Sequence, residues 1–211
     1  MILGSSRRFD PTNSGVVALD DRPADNQGKE MEFIEFPKVA RLSREVIITE
    51  KIDGTNGQIA INDNGDMFVG SRTRWITPAN DNHGFAAWAA ANKSELLKLG
   101  PGRHFGEWWG AGIQRRYGMT EKVFSLFNVS RWEDDAVRPG CCRTVPVLYR
   151  GVFNDDCVSW ALGVLRELGS SAAPGFMQPE GIVLYHIAAG VGFKKTLEKD
   201  EQPKSLSREA A

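Results

Sequence analysis

Glu50-Lys51-Ile52-Asp53-Gly54-Thr55-Asn56-Gly57 follows an apolar, β-branched run, Val46-Ile47-Ile48-Thr49, and its reading decides the rest of the chain. Successive Val and Ile predict a largely buried strand. That strand ends on Lys51, so one amine is delivered to the mouth of a sheet. The Asp53-Gly54 pair then predicts a tight turn in which backbone approaches a ligand closely, because glycine has no Cβ. Thr55 and Asn56 add two hydrogen-bonding side chains. K-x-D-G alone arises by chance in on the order of a few per cent of chains this long, and a solvated lysine beside an ordinary turn is its plainest meaning. The surroundings must decide.

Outward from this stretch the β signals continue. Gln58-Ile59-Ala60-Ile61, Asn62-Asp63-Asn64-Gly65 and Asp66-Met67-Phe68-Val69 predict a hairpin, with Asn-Gly supplying the left-handed residues of the turn. Strands are expected at 104–109, 122–129, 144–149, 181–186 and 191–195. Two helices interrupt them. Residues 85–99 are Ala-rich, with Asn and Asp before and Gly100 behind; residues 155–168 place Val158, Leu162, Leu165 and Leu168 at helical spacing before Gly169. Strand runs broken by separated helices predict an α+β fold with mainly antiparallel sheets. Neither G-x-G-x-x-G nor G-x-x-x-x-G-K-[ST] occurs, so neither of those phosphate cradles is expected.

The 211 residues are 41% hydrophobic and 25% charged, enough for one compact domain with its own core. Residues 1–30, rich in Ser, Asn, Asp, Gly and Pro, read as a loosely attached arm; 31–204 as the folded domain; 205–211 as a frayed tail. A net charge of −1 gives no bulk argument for a nucleic-acid partner, so any such contact must come from local patches such as Arg72, Arg74, Arg115 and Arg116. Cys141, Cys142 and Cys157 have no C-x-x-C spacing and are expected to be packing thiols in a reducing interior. No apolar run approaches the roughly 20 residues of a membrane span and no signal peptide leads the chain, which predicts a soluble, cytoplasmic protein.

Four further elements carry chemistry. His104-Phe105-Gly106-Glu107-Trp108-Trp109-Gly110 sets a carboxylate among aromatics; if these face a core, Glu107 must be paired. Phe124-Ser125-Leu126-Phe127-Asn128-Val129 is an aromatic strand. Pro179-Glu180-Gly181-Ile182-Val183 sets a second carboxylate at the entrance to an apolar strand, and Gly192-Phe193-Lys194-Lys195 closes a strand on two lysines. The order K-x-D-G, F-G-E, aromatic strand, E-G-hydrophobic, hydrophobic-Lys resembles the motif order of the covalent nucleotidyltransferase superfamily. Within it, the chain most resembles phage-type, nick-sealing RNA ligases. The resemblance rests on E-K-I-D-G-T-N at 50–56, on Ser71-Arg72-Thr73, and on Phe105-Gly106-Glu107 with its Gly110-Ala111-Gly112-Ile113-Gln114 tail. Residues 33–42, with Phe36-Pro37-Lys38, are similar to the strand that leads into that module.

This resemblance implies an ATP-grasp-like adenylation domain, without an OB domain, that uses ATP and Mg2+ (or Mn2+) on RNA bearing a 5′-phosphate and a 3′-OH. Lys51, Lys194 and Lys195 would be the catalytic cations. The nucleotide would be held by Glu50, Lys51, Ile52, Asn56, Arg72, Glu107, Phe127, Glu180 and Lys194, with Phe127 stacked on adenine and Arg72 and Asn56 on phosphate or ribose. Glu180 and Glu107 would take the metal. A lysine amine is almost wholly charged near neutrality, so attack on ATP requires a site that favours the neutral form. Lys51 would form lysyl-AMP, AMP would pass to the 5′-phosphate, and the 3′-OH would displace it.

Two positions depart from that pattern. The final lysines are adjacent rather than Lys-x-Lys, leaving open which one faces phosphate, and Asn128 stands where an acid is usual. DNA ligases and GTP-dependent capping enzymes share the motif order but carry an OB domain after the last lysine, for which 196–211 leaves no room. A nucleotide- or RNA-binding module that has lost catalysis is the alternative from another class. Without an appended RNA-gripping domain, the chain is expected to charge itself readily and seal poorly alone.

Overall fold

The computed structural model describes residues 32–198 and residue 200. The expected arm at 1–30 and tail at 205–211 lie outside the described residues. What is described falls into two units, the short segment 32–38 and the body from Val39 onward. Residues 32–38 are exposed and without regular structure. The lead-in strand expected at 33–42 is not formed: no partner among the described residues pairs with it, and Pro37 has no N–H to give a ladder.

The described residues of the body form two sheets. The first takes β1 (Glu45–Lys51), β7 (Val147–Val152), β8 (Gly181–His186) and β9 (Val191–Thr196) in the order β7-β1-β8-β9, all antiparallel. The second takes β2 (Thr55–Ile61), β3 (Met67–Gly70), β4 (Gly102–Gly110), β5 (Lys122–Leu126) and β6 (Cys142–Thr144) in the order β3-β2-β4-β5-β6, antiparallel except for the last pair. The fold is therefore α+β with antiparallel-rich sheets, as the pattern predicts. Gly65 turns the β2–β3 hairpin at φ 82, a conformation open to glycine at little cost.

Among the described residues four helices cover these sheets: α1 (Phe85–Ala91), α2 (Lys93–Leu96), α3 (Val129–Trp132) and α4 (Asp155–Leu168). On one side, α4 sets Cys157, Ala161, Leu162 and Leu165 against Val46, Ile48, Ile182 and Leu184 of the first sheet. On the other, Phe85 and Leu96 pack on Ile59, Trp108, Phe124 and Leu126 of the second. A third cluster lies between the sheets, where Ile47 and Ile52 meet Trp109, Tyr117 and Val123. Each of these aliphatic and aromatic side chains removes apolar area from water, at about 25 cal/mol per Å².

Three further expected elements are formed differently. The helix predicted at 85–99 breaks at Asn92, which leaves helical geometry (φ −105, ψ 18) while its side chain bonds Trp88 O (2.9 Å). Asn competes for backbone acceptors in this way, and α2 and a 3-10 turn at Leu97–Leu99 complete the stretch. The strand predicted at 122–129 stops at Leu126 because Asn128 caps α3 instead, accepting from Arg131 N–H (3.2 Å). The strand predicted at 144–149 is two strands in different sheets. Pro146 lies between them, and its carbonyl accepts from Glu50 N–H (2.9 Å).

Candidate active site

The turn at 52–54 carries the chain from the first sheet to the second, so Lys51 ends a strand of one sheet and Asn56 lies in the first residues of a strand of the other. Gly54 lies so close to β4 that a Cβ there would sit 2.5 Å from Trp108 O and 2.7 Å from Trp109 Cβ. Only glycine permits that approach, and through it the Gly54 N–H reaches Glu107 Oε1 (3.0 Å). The other oxygen, Oε2, accepts from Asn56 Nδ2 (3.2 Å). Glu107 is thus buried and paired, as its aromatic setting demands.

Across the same space Lys51 Nζ donates to Glu180 Oε2 at 2.5 Å, an ion pair between residues 129 apart in sequence with Glu180 buried. Burial pushes the Glu107 carboxyl up to about 7; Lys51 and the Gly54 N–H oppose this, while Glu180 and Asp53 add to it by like charge. The Lys51 amine therefore meets the Glu180 carboxylate and lies within the field of Glu107. Glu107 and Glu180 are two hard oxygen donors that would suit a magnesium or manganese ion, since such ions commonly take one or two carboxylates and complete their shell with substrate and water. Among the described residues no group of three or more His, Cys, Asp or Glu side chains is gathered to hold a metal alone.

Register places the remaining predicted residues. In the first sheet Thr49, Val183 and Lys194 form one row, and Glu50, Ile182 and Lys195 the next. Side chains alternate along a strand, so Lys194 shares the inter-sheet face with Lys51 and Ile47, while Lys195 lies on the opposite face. Lys195 Nζ pairs with Asp200 (3.1 Å). Glu50 also turns away: its oxygens accept from Ser170 Oγ (2.6 Å) and Ala172 N–H (2.9 Å). Ile52 is core. Arg72 is exposed in the loop after β3 and is not brought against the others.

In the second sheet, Asn56 pairs with Glu107 and Gln58 with Phe105, and Phe127 N–H bonds Phe105 O (3.0 Å). Asn56, Gln58, Phe105, Glu107 and Phe127 therefore line one face, with both phenylalanines open to solvent. Neither Gln58 nor Phe105 was among the expected site residues, although the two-residue period from Asn56 and Glu107 leads to them. The amide Nε2 of Gln58 is buried without a hydrogen-bond partner among the described residues. Tyr117 was also missed; its hydroxyl accepts from Asp53 N–H (2.7 Å), and only the folded chain brings them together.

Residues 44–196 match the family model described as RNA ligase. No curated protein matches the chain. Among solved structures, a mutant of the Naegleria gruberi RNA ligase with ATP and Mn aligns at 19% identity and a TM-score of 0.54, covering 74% of this chain and 51% of that one. Another mutant of that ligase, with AMP and Mn, aligns at 19% identity and a TM-score of 0.52, covering 74% and 50%. The same ligase with PPi aligns at 19% identity and a TM-score of 0.52, covering 73% and 50%. The chain spans about half the length of these proteins, and the likeness is one of fold.

Proposed function

The chain belongs to the RNA ligase family, and from that premise we propose that it is an ATP-dependent RNA ligase in which Lys51 carries AMP from ATP to an RNA 5′-phosphate. One observation carries this reading: the Lys51 amine stands in contact with Glu180 and within the field of buried Glu107. A lysine so enclosed by acids, on a turn pressed against the neighbouring sheet, is a positioned nucleophile rather than a solvated surface cation.

In the first step Lys51 Nζ attacks the α-phosphorus of ATP. The N–P bond forms as the bond to the bridging oxygen breaks, and pyrophosphate leaves. The proton shed by the amine has an acceptor in contact, Glu180 Oε2. In the second step an oxygen of the RNA 5′-phosphate attacks the same phosphorus, breaking N–P and returning the electron pair to Nζ. In the third, a 3′-OH attacks the activated 5′-phosphorus, loses its proton, and AMP departs. A bound Mg2+ or Mn2+, held by Glu107 and Glu180, would neutralise phosphate charge and polarise the α-phosphorus.

The other roles follow from the faces the side chains share. Lys194, on the Lys51 face, balances charge on the phosphates. Phe127, open to solvent on the Glu107 face, offers a stacking surface for adenine. Asn56 fixes Glu107, and Arg72, exposed in its loop, is open to a phosphate that approaches from solvent. The fold's likeness to a ligase solved with ATP and Mn supports the same ligands here.

Mass spectrometry of the purified chain after incubation with ATP tests the first step. The expected result is a mass increment of AMP that pyrophosphate removes, and its absence in Lys51→Ala at an unchanged melting temperature. An adduct on Lys51→Ala would refute the nucleophile. An adduct from GTP alone would indicate a capping-type enzyme, and none from any nucleotide a binding module. Joining of a nicked RNA duplex is the measurement for the later steps.

A further inference from the structure

Arg115 connects the two halves of the site from outside it. Its Nε donates to Asp53 Oδ2 (3.1 Å), in the turn directly after Lys51, and its NH1 donates to Gln178 O (3.0 Å), two residues before Glu180. The guanidinium is about two-thirds covered and Asp53 more so, so this pair is not a loose surface contact. A planar fork can bond two acceptors at a fixed separation, which an ammonium on a flexible stem does not reproduce. The peptide that presents the nucleophile and the peptide that presents its carboxylate partner are therefore tied through one side chain.

The loop carrying Arg115 is held in an uncommon shape. Gln114, Arg116 and Tyr117 have φ of 43, 60 and 51, the left-handed region that side chains with a Cβ seldom adopt. Such residues persist only where the surroundings over-determine them. Here Ile113 is fully buried. Tyr117 packs between Trp109 (ring centroids 5.0 Å apart) and Phe176 (4.7 Å), while its hydroxyl holds Asp53 N–H. The loop thus grips Asp53 twice, by its backbone through Tyr117 and by its carboxylate through Arg115.

We infer that Arg115 is a positioning residue for lysyl-AMP formation, acting through Asp53 and Gln178 to hold Lys51 and Glu180 in register, and not an RNA-facing cation. The inference rests on the proposed function. It assigns Arg115 no contact with nucleotide, so the loss on its removal falls on the maximal rate and not on ATP binding.

The test is rapid-quench measurement of lysyl-AMP formation by the full chain over a range of labelled ATP concentrations. The proteins are wild type, Arg115→Gln, Arg115→Lys, Asp53→Asn and the Arg115→Gln/Asp53→Asn double variant, each with its melting temperature. A misplacement near 1 Å costs about a hundredfold in rate. Arg115→Gln is expected to lose up to that factor in maximal rate at an unchanged KM for ATP and an unchanged melting temperature. Arg115→Lys recovers only part of the loss, and the double variant is no slower than the slower single one. A wild-type maximal rate in Arg115→Gln, a change confined to KM, losses that add with Asp53→Asn, or a melting temperature that falls in step with the rate would each overturn it. A wild-type chain that forms no lysyl-AMP would instead overturn the proposed function beneath it.

Discussion

At the scale of single residues, Glu107 concentrates the physics of the site. Its carboxylate is buried, bonded to the Gly54 N–H and Asn56, and close to two other acids, and burial dominates, lifting its pKa to about 7. A carboxyl raised above its unfolded value of 4.5 contributes stability that is present below that value and lost as pH climbs through about 7. The span corresponds to about 3 kcal/mol for a buried group. Glu50, raised by its own burial, acts in the same sense. In chelator and without nucleotide, the melting temperature is therefore expected to fall between about pH 5 and about pH 8. Glu107→Gln should make that fall shallower, and an identical slope in the two proteins would show that Glu107 is not its source.

Elements are set by their ends as much as by their apolar faces. Asn154 opens α4 with one side-chain oxygen that accepts from the N–H groups of Asp156 (3.1 Å) and Cys157 (2.8 Å). Asp155 and Asp156 add favourable charge in the first turn, Arg166 does so in the last, and Gly169 stops the helix at φ 78. Asn154→Ala leaves two donors without that partner and is expected to lower stability by about 1 kcal/mol, read as a lower urea midpoint at constant slope. The cap lies on the far side of the first sheet from Lys51, so lysyl-AMP formation should be unaffected. The start of α1 uses another device: Gly84 has no capping side chain, and Asp81 reaches forward to the N–H groups of Ala86 and Ala87.

For the whole molecule, the deciding feature is that chain segments cross from one sheet to the other beside the site. The turn at 52–54 does so once, and the break at Pro146 does so again, with Pro146 O bonded to Glu50 N–H. Pairing between β8 and β9 then selects one of two adjacent lysines. Lys194→Ala is expected to slow lysyl-AMP formation by on the order of a hundredfold, the usual cost of removing one charge-stabilising donor from a site. Lys195→Ala loses only a half-exposed pair with Asp200 and should stay within a few-fold of wild type. Equal defects in the two variants, measured with labelled ATP, would contradict the register argument.

The sequence by itself determined the α+β class, the hairpin at Gly65 and α4 between Asn154 and Gly169, while the grouping of Lys51, Glu107 and Glu180 came only from the resemblance of their motif order to that of RNA ligases. Those signals are local or periodic: β-branched runs, glycine turns, a 3.6-residue spacing, a carboxylate among aromatics. Only the tertiary structure decided that Lys194 rather than Lys195 shares the sheet face of Lys51. It also turned Glu50 towards Ser170, added Gln58 and Phe105 to the Glu107 face, and set Arg115 on Asp53 and Gln178 rather than in solvent. Each of these depends on which strands pair, in what register, and across which sheet. Such choices are fixed by contacts between residues tens to more than a hundred positions apart, and no window along the chain contains them.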